Sequence, residues 1–280
     1  MNNNIGFMQG RLSPIVNNVI QQFPFDSWED EFPQANKLNI NLMEWTLDYP
    51  NLRKNPLLKD KYLNHILFLS NKYNLKIPSV TLDCCMQRPF WKEKDSIIFD
   101  KLIDDFITII SYANKIKAKI LVLPLVDNGS IQYKSEFDLL KKTLESLSYL
   151  LMQKNIKIAF ESDYSPLKLT RFIDGFDHTL FGINYDSGNS SALGYDPYEE
   201  INSYGRRILN VHIKDRFFKG ATVRLGSGDT SFQKIFDNLK NIDYTGNFIL
   251  QTARAKNDNH YEELKINLLF LKKYLYIKDF

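Results

Sequence analysis

Four side chains that can bind a metal ion or carry a proton stand where short apolar segments end. They are Glu161, Asp186, His212 and Gln251, which close or follow the segments 157–160, 181–185, 208–212 and 247–250. Apolar segments of this length, rich in β-branched and aromatic residues, predict buried strands of a parallel sheet. The carboxyl ends of such strands open on one face of a barrel, so we expect the four side chains to converge.

The expected cluster has the composition of a divalent-metal site. Two carboxylates, one imidazole and one amide carbonyl suit Mn²⁺ or Mg²⁺ and also admit Co²⁺ or Zn²⁺. Ionised Glu161 and Asp186 with a neutral His212 would balance the charge of the ion. A metal held there would polarise a substrate carbonyl, acidify the adjacent C–H and stabilise an enediolate, with Glu161 as the base.

Gln251 restricts the proton chemistry, because its amide oxygen can ligate a metal but cannot take up a proton. Inverting a carbon needs proton-carrying groups on both faces, whereas moving a carbonyl to the next carbon can use one base. A single glutamate therefore favours moving a carbonyl to the next carbon slightly over inverting a carbon with two bases. Lys214, which follows His212 closely, is our second predicted catalytic residue.

Further polar residues near the predicted strand ends are candidates for substrate binding. Basic groups there suit a phosphate, a carboxylate or sugar oxygens, and the others are expected to face the barrel mouth. The candidates are Gln9, Arg11, Glu44, Asn189, Asp215, Arg216 and Arg254. The glycine-rich stretch 226–228 predicts either a phosphate cradle or a tight turn before a helix, and both alternatives stay open.

Eight apolar segments alternate with helical patterns and would position all of these residues. The predicted strands cover 5–8, 40–45, 75–80, 119–123, 157–160, 181–185, 208–212 and 247–250. The predicted helices cover 28–38, 57–73, 95–116, 135–153, 165–174, 197–204, 230–239 and 261–276. Alternation with this count predicts an α/β fold, the (β/α)8 TIM barrel. We see no linker-like segment, so residues 1–280 are predicted to form one domain.

Length and composition agree with a globular enzyme and argue against several other classes. A chain of 280 residues has the usual size of one barrel, and a net charge of +3 gives no indication of nucleic acid as a partner. We find neither an apolar stretch that would span a membrane nor a signal-peptide pattern. The only cysteines, Cys84 and Cys85, are neighbours that rarely bridge, so we expect a reducing, cytoplasmic setting.

Seven short motifs occur along nearly the whole chain in a characteristic order. They are GFMQGRLS at 6–13, MEW at 43–45, FES at 160–162, DSGN at 186–189, VHIKDR at 211–216, GSGD at 226–229 and FILQ at 248–251. Together their order and spacing resemble the sugar-phosphate isomerase/epimerase superfamily. These are the xylose isomerase-like TIM barrels, of the AP endonuclease family 2 type.

This resemblance implies a divalent metal held by Glu, Asp, His and a final Glu, which fall on Glu161, Asp186, His212 and Gln251. The chain departs from the pattern twice, because the final acid is Gln251 and Asn189 stands where a histidine often follows the aspartate. The implied activity is a metal-dependent isomerase or epimerase acting on a small sugar or sugar phosphate. Pairing into a homodimer is one assembly that the resemblance allows.

Three alternatives to this activity stay open with different weight. A polyol or sugar dehydratase or lyase would use the same enolisation on the same site. A barrel that only binds a sugar would explain the glutamine and the asparagine that depart from the pattern. An abasic-site endonuclease is disfavoured, because its trinuclear zinc site needs many more histidines than the four present and the chain lacks a basic face.

Overall fold

A computed structural model describes residues 4–49 and 51–275 and has eight parallel strands closed into a barrel. With two short strands outside the barrel, β8 and β9, the described residues form β1 Asn4–Met8, β2 Leu42–Thr46, β3 Lys76–Thr81, β4 Ile120–Leu125, β5 Lys157–Ser162, β6 Phe181–Asp186, β7 Ile208–Ile213, β8 Asp215–Arg216, β9 Thr222–Val223 and β10 Asn247–Leu250. The order around the barrel is β1-β10-β7-β6-β5-β4-β3-β2, while β8 and β9 pair separately as an antiparallel ribbon. The predicted (β/α)8 TIM barrel is confirmed.

Helices connect successive strands and cover the outside of the barrel. They are α1 Glu31–Lys37, α2 Asp60–Lys72, α3 Asp83–Gln87, α4 Ser96–Lys115, α5 Lys134–Ser146, α6 Ser148–Lys154, α7 Pro166–Asp174, α8 Ser187–Leu193, α9 Pro197–Tyr204, α10 Phe232–Asn241 and α11 His260–Lys272. In the described part of the chain, none of them combines the length and apolar character that crossing a membrane requires. That residues 1–280 form a single domain stays a prediction.

The helices differ from the predicted ones in three places. The segment 135–153 forms two helices, α5 and α6, which meet at Leu147. The short helices α3 and α8 were not predicted, because α3 has five residues and α8 is rich in serine, glycine and asparagine, which are poor helix formers. The predicted end of the last helix at Tyr276 lies outside the described residues.

Aromatic packing between the strands and helices fills the core on the β5–β6 side. The Phe160 ring lies 5.1 Å from Phe172, 5.0 Å from Phe176 and 6.1 Å from Phe181, measured between ring centroids. Each of these side chains is buried, and full burial of one phenylalanine contributes roughly 2–3 kcal/mol. The packing joins β5 and β6 to α7, and these strands end on Glu161–Ser162 and Asp186.

Strand register brings the functional residues to one level. Asp186 at the end of β6 pairs with His212 in β7, and His212 pairs with Ile249 in β10. The backbone amide of Gln251, just past β10, donates to the carbonyl of Ile213 at 3.0 Å. The register therefore sets the expected metal ligands of three neighbouring strands side by side.

The glycine-rich stretch 226–228 forms a turn around the carboxylate of Asp215. Asp215 is fully buried and accepts hydrogen bonds from the backbone amides of Gly226 at 2.8 Å, Gly228 at 2.9 Å and Thr230 at 3.1 Å. Gly226 has φ of 83°, a left-handed conformation that favours glycine. The structure thus favours the turn, because the amides that would cradle a phosphate already bind a carboxylate.

Replacing Asp215 by alanine should destabilise this turn strongly. The Asp215→Ala variant leaves three backbone amides without their acceptor, so we expect its free energy of unfolding in urea to fall by about 2–4 kcal/mol. Asp229→Ala is the matched control, because exposed Asp229 accepts, among the described residues, only from the Phe218 amide, at 2.7 Å. Equal losses in the two variants would contradict a structural role for Asp215.

Candidate functional site

A cavity of about 400 Å³ lies where the barrel strands end and contains most of the predicted site. The predicted residues that line it are Arg11, Glu161, Asn189, His212, Lys214, Arg216 and Gln251. Such a volume is in the range of small-molecule sites. The chain therefore presents its candidate ligands and bases to one space of substrate size.

Three predicted metal ligands meet beside this cavity. One ligand atom each from Glu161, Asp186 and His212 lies within 4.8 Å of the other two, and all three residues are buried. The pairing of β6 with β7 makes Asp186 and His212 neighbours, and Glu161 reaches them from β5. These residues lie one strand-plus-helix unit apart in the sequence. Because β5, β6 and β7 are neighbours in the barrel, their side chains lie close together.

The His212 imidazole is held between two carboxylates. Its Nε2 lies 2.7 Å from Oε1 of Glu44, and its Nδ1 lies 3.0 Å from Oε2 of Glu161 without the alignment of a hydrogen bond. Burial alone would lower the pKa of His212, but the two carboxylates outweigh it and raise the pKa to about 10. With only protein groups around it, the ring is therefore an imidazolium that balances two negative charges.

Glu44 holds this ring from below and does not reach the cavity. It is fully buried, and it accepts hydrogen bonds from Ser79 at 2.7 Å, Thr81 at 2.6 Å and Asn210 at 3.0 Å, besides its contact with His212. Burial would raise the pKa of Glu44, but His212 and the hydroxyl donors lower it overall. The predicted substrate contact of Glu44 is thus replaced by a positioning contact, of the kind that orients histidine ligands of metals.

Asp186 serves two partners with its two oxygens. Its Oδ1 caps α8 by accepting from the amides of Gly188 at 2.9 Å and Asn189 at 2.8 Å, while Oδ2 lies 2.7 Å from Nζ of Lys214. Burial would raise the pKa of Asp186, but the Lys214 charge and His212 lower it. Gly188 is needed here, because an added Cβ would lie 2.6 Å from Cγ of Lys214.

Glu161 is oriented by two amide side chains. Asn184 donates to its Oε2 at 2.8 Å, and Asn189 donates to its Oε1 at 2.8 Å. Asn189 in turn accepts from Nη1 of Arg216 at 3.0 Å through its own carbonyl oxygen. The asparagine that replaces the family histidine thus links the expected base to a cationic side chain of the cavity wall.

Gln251 carries a buried carbonyl oxygen without a hydrogen-bond partner among the described residues. Leaving such an acceptor unsatisfied costs about 1–3 kcal/mol, so the position suits an acceptor that a ligand uses. The clustered Glu161, Asp186 and His212 are ligand types that fit a divalent ion, and Gln251 lines the cavity beside them.

Two predicted substrate contacts are engaged by the protein itself. Arg254 donates through its guanidinium to the carbonyls of Gly10 and Ser13, which ties the loop after β1 to the end of β10. Arg11 donates from Nε to the carbonyl of Thr252 at 2.8 Å, although its side chain still lines the cavity. We therefore keep Arg11 as a substrate contact and leave Arg254 out.

Gln9 and Asp215 also lie away from the expected place. Gln9 is fully buried, and its Oε1 accepts from the Thr46 amide at 3.2 Å. The Asp215 carboxylate is enclosed by the 226–230 turn. Both residues stand next to strand ends, but a strand-end position does not tell whether a side chain faces the cavity or the wall behind it.

Asp83 is a cavity residue that the sequence patterns did not single out. It begins α3 directly after the end of β3, lines the cavity with Glu161 and His212, and is only 7% exposed. Burial, followed by the nearby Asp48 and Glu161 carboxylates, raises the pKa of Asp83 well above its ordinary value. Its place after the third predicted strand was the available signal.

We expect a divalent ion and a proton to compete for His212. The pKa of His212 is raised to about 10, so the ring carries an extra proton below that pH. It must lose this proton before it can ligate a metal. Mn²⁺ affinity should therefore rise about tenfold per unit between about pH 6 and pH 8, with one proton released per ion. Calorimetric titration in buffers of different ionisation enthalpy measures this, and binding without proton release would contradict it.

Adding a negative charge at position 251 should tighten metal binding. Gln251→Glu replaces the unpaired amide oxygen by a carboxylate. Because its negative charge attracts the cation, we expect a lower Kd for Mn²⁺ in calorimetric titration. Gln87→Glu is the matched control, since it adds the same charge to another side chain of the same cavity and should change the Kd less. Weaker binding by Gln251→Glu would show that this side chain does not ligate the ion.

Comparison with known proteins extends the observations on the site. Residues 32–274 match the family model described as xylose isomerase-like TIM barrel. The chain is 25% identical over 242 residues to L-ribulose-5-phosphate 3-epimerase UlaE of Escherichia coli (strain SMS-3-5 / SECEC), covering 81% of this chain and 82% of that protein. It is 23% identical over 191 residues to an inosose dehydratase of Bacillus cereus (strain AH820), covering 55% of this chain and 64% of the relative.

A solved structure has the same fold over the full length. The IOLI protein with a zinc atom superposes with a TM-score of 0.75 and 16% identity, covering 98% of this chain and 100% of that one. This likeness concerns the fold, whereas the family match runs from the second residue of α1 to residue 274, just past the end of α11. From that match, the chain belongs to the xylose isomerase-like TIM-barrel family.

Proposed function

We propose that this protein is a divalent-metal-dependent enzyme that isomerises or epimerises a small sugar or sugar phosphate. The single observation that carries the proposal is the convergence of the Glu161, Asp186 and His212 ligand atoms at the edge of a sugar-sized cavity. The orphan oxygen of Gln251 supports it as a fourth donor. Mn²⁺ or Mg²⁺ suits this set best, and the zinc atom of the IOLI structure supports Zn²⁺ as an alternative.

Glu161 is the proposed base. The amides of Asn184 and Asn189 fix the plane of its carboxylate, which faces the cavity, so the group is oriented before the substrate arrives. A divalent ion bound by the cluster would supply polarisation of the substrate carbonyl and stabilisation of the enediolate charge. The proton next to that carbonyl then passes to Glu161.

Lys214 is the proposed electrostatic partner. Its ammonium group lies 2.7 Å from the Asp186 carboxylate and lines the cavity, so a positive charge stands beside the expected substrate oxygens. Arg216 and Arg11 line the same space and offer further donors. These three cations would bind hydroxyl and carbonyl oxygens of the sugar and favour an enediolate over the neutral substrate.

A neighbouring cavity favours a phosphorylated substrate. It has a volume of about 640 Å³, is lined by Lys256 and by Arg224, which pairs with Glu263, and shares the wall residues Ile20 and Thr222 with the substrate cavity. A sugar whose reacting end faces His212 could place a phosphate there, where positive side chains outnumber the negative ones. The match to a sugar-phosphate epimerase agrees with this choice.

Dehydration is the second candidate reaction. It begins with the same proton abstraction and ends with loss of a hydroxyl as water, and the similarity to an inosose dehydratase favours it. The identity of the product separates the two reactions. The cytoplasmic setting and the homodimer remain predictions.

The test uses protein loaded with Mn²⁺ and a substrate panel of L-ribulose 5-phosphate, L-ribulose and an inosose. In heavy water, proton NMR should show deuterium entering the carbon next to the carbonyl of at least one ketose. Glu161→Gln should reduce this exchange by about 10²–10⁴-fold, because an amide cannot accept the proton. Glu145→Gln, a change of an exposed glutamate on α5, is the control that should leave it unchanged.

Two results would contradict the proposed function. One is a wild-type protein that takes up no divalent ion or exchanges no proton of any panel member. The other is a Glu161→Gln variant that exchanges as fast as the wild type. Water loss from the inosose without epimer formation would select the dehydratase instead.

A further inference from the structure

Arg11 is a buried cation on the wall of the substrate cavity. The residue is only 4% exposed, and it lines the cavity together with Glu161 and His212. Its Nε donates to the carbonyl of Thr252 at 2.8 Å, one residue after Gln251. The guanidinium group therefore lies at the same strand end as the amide side chain that is expected to bind the metal.

The hydrogen bonds of this guanidinium group go to neutral oxygens. Besides the bond to Thr252, its Nη1 donates to the carbonyl of Ile20 at 3.3 Å and to Oε1 of Gln21 at 2.6 Å. Among the residues that the structure describes, Nη2 has no acceptor, and no acidic side chain forms an ion pair with Arg11. Two of the five N–H groups are therefore available to a ligand in the cavity.

An anion bound at this place would offset an electrostatic cost. Burial, followed by the like charge of Arg254, lowers the pKa of Arg11 to about 9, while Asp83 and Glu31 act in the opposite sense. The cation is thus less stable here than it would be in water. A buried charge without a partner is costly, and a hydrogen bond to an oxyanion compensates it better than a hydrogen bond to a hydroxyl group.

Glu31 fixes the loop that carries Arg11 on both sides of this residue. Glu31 is fully buried at the start of α1, and its Oε1 accepts from the amides of Gly10 at 2.8 Å and Leu12 at 2.9 Å. Arg254 binds carbonyl oxygens of the same loop, including that of Gly10. Because its amides and its carbonyls are both held, the backbone from which Arg11 extends is fixed before a ligand arrives.

We propose that Arg11 determines substrate specificity by binding an oxyanion group of the sugar, and that Glu31 is the positioning residue that holds Arg11 in the cavity. The inference rests on the proposed function and names the substrate class as a sugar that carries a phosphate or a carboxylate. Both groups offer the planar guanidinium group several acceptor oxygens. A neutral sugar of the same length lacks this contact.

The two possible oxyanions correspond to different placements of the substrate. A phosphate bound by Arg11 belongs to a sugar that lies entirely in the substrate cavity. A phosphate in the neighbouring cavity beside Lys256 leaves Arg11 to a carboxylate, because Arg11 is not among the described residues that line that cavity.

The test measures ligand binding, which needs neither turnover nor a bound metal. Calorimetry gives the Kd values of metal-free protein for L-ribulose, L-ribulose 5-phosphate and D-fructuronate. We expect at least one of the two acidic sugars to bind about 10–100-fold more tightly than L-ribulose, the range for a hydrogen bond to a charged group. The acidic sugar that loses this advantage in Arg11→Gln identifies the oxyanion.

Arg11→Gln should reduce the ratio of the two Kd values to about 1 and change the Kd for neutral L-ribulose by less than about threefold. Arg171→Gln is the matched control. It removes the same charge from the exposed surface of α7 and should keep the wild-type ratio.

Glu31→Gln tests the positioning role. Glutamine offers one acceptor oxygen where the carboxylate offers two, so we expect the preference for the acidic sugar to be lost while L-ribulose binding is unchanged. Combined with Arg11→Gln, it should cause no additional loss, because it acts through Arg11. Glu29→Gln changes an exposed glutamate nearby and is the control. Arg254→Gln releases the same loop at its carbonyls and replaces Glu31→Gln if that variant does not fold.

Three results would overturn the inference. One is a wild type that binds L-ribulose as tightly as both acidic sugars. Another is an Arg11→Gln variant that keeps the preference or weakens all three ligands equally. The third is a Glu31→Gln variant that keeps the preference, or whose loss adds to that of Arg11→Gln. Failure of the proposed function is distinguishable, because it appears as absent Mn²⁺ uptake or proton exchange and leaves these Kd ratios measurable.

Discussion

The charge balance around the buried His212 imidazole is the constraint on which the site depends. The ring meets Glu44 at Nε2 and Glu161 at Nδ1, and all three groups are almost fully withdrawn from solvent. A buried charge that loses its partner costs several kcal/mol, so these groups have to be kept together. This accounts for the hydroxyl and amide groups of Ser79 and Asn210 inside the barrel, where an apolar layer would otherwise pack.

The same charge balance explains how a divalent ion could replace the protein's own cationic groups beside Glu161 and Asp186. The positive charges that now compensate Glu161 and Asp186 are the His212 ring and the Lys214 ammonium group. A divalent ion would bring equivalent charge to the same carboxylates and find the Gln251 oxygen free to bind it. The cluster is therefore arranged for a cation on its cavity side and anchored by Glu44 on its buried side.

The barrel and the convergence of the ligands could be predicted from the sequence because they depend on periodicity. Buried parallel strands have short apolar sequences, and the residues at their carboxyl ends reach the same rim, as Glu161, Asp186 and His212 do. Depth and direction depend on contacts that only the folded chain contains. Glu44 is part of its strand and was expected at the mouth, yet donors from β3 and β7 hold it beneath the imidazole.

Local turns were equally hard to anticipate. Arg254 is a free cation in the sequence, and only the fold shows that the loop after β1 offers it two carbonyls. Asp215 looks like one more polar residue of its motif, but the chain returns eleven residues later to place Gly226 against it. The sequence gives no role to Asp83, because its burial on the cavity wall appears only in the folded chain.

The most direct test of the account is a crystal of the protein soaked with Mn²⁺, with the anomalous signal mapped. The account predicts one strong peak within bonding distance of Glu161, Asp186, Nδ1 of His212 and Oε1 of Gln251, with Lys214 displaced from Asp186. Mn²⁺ bound only elsewhere, with the imidazole and the lysine still in their present ion pairs, would contradict it.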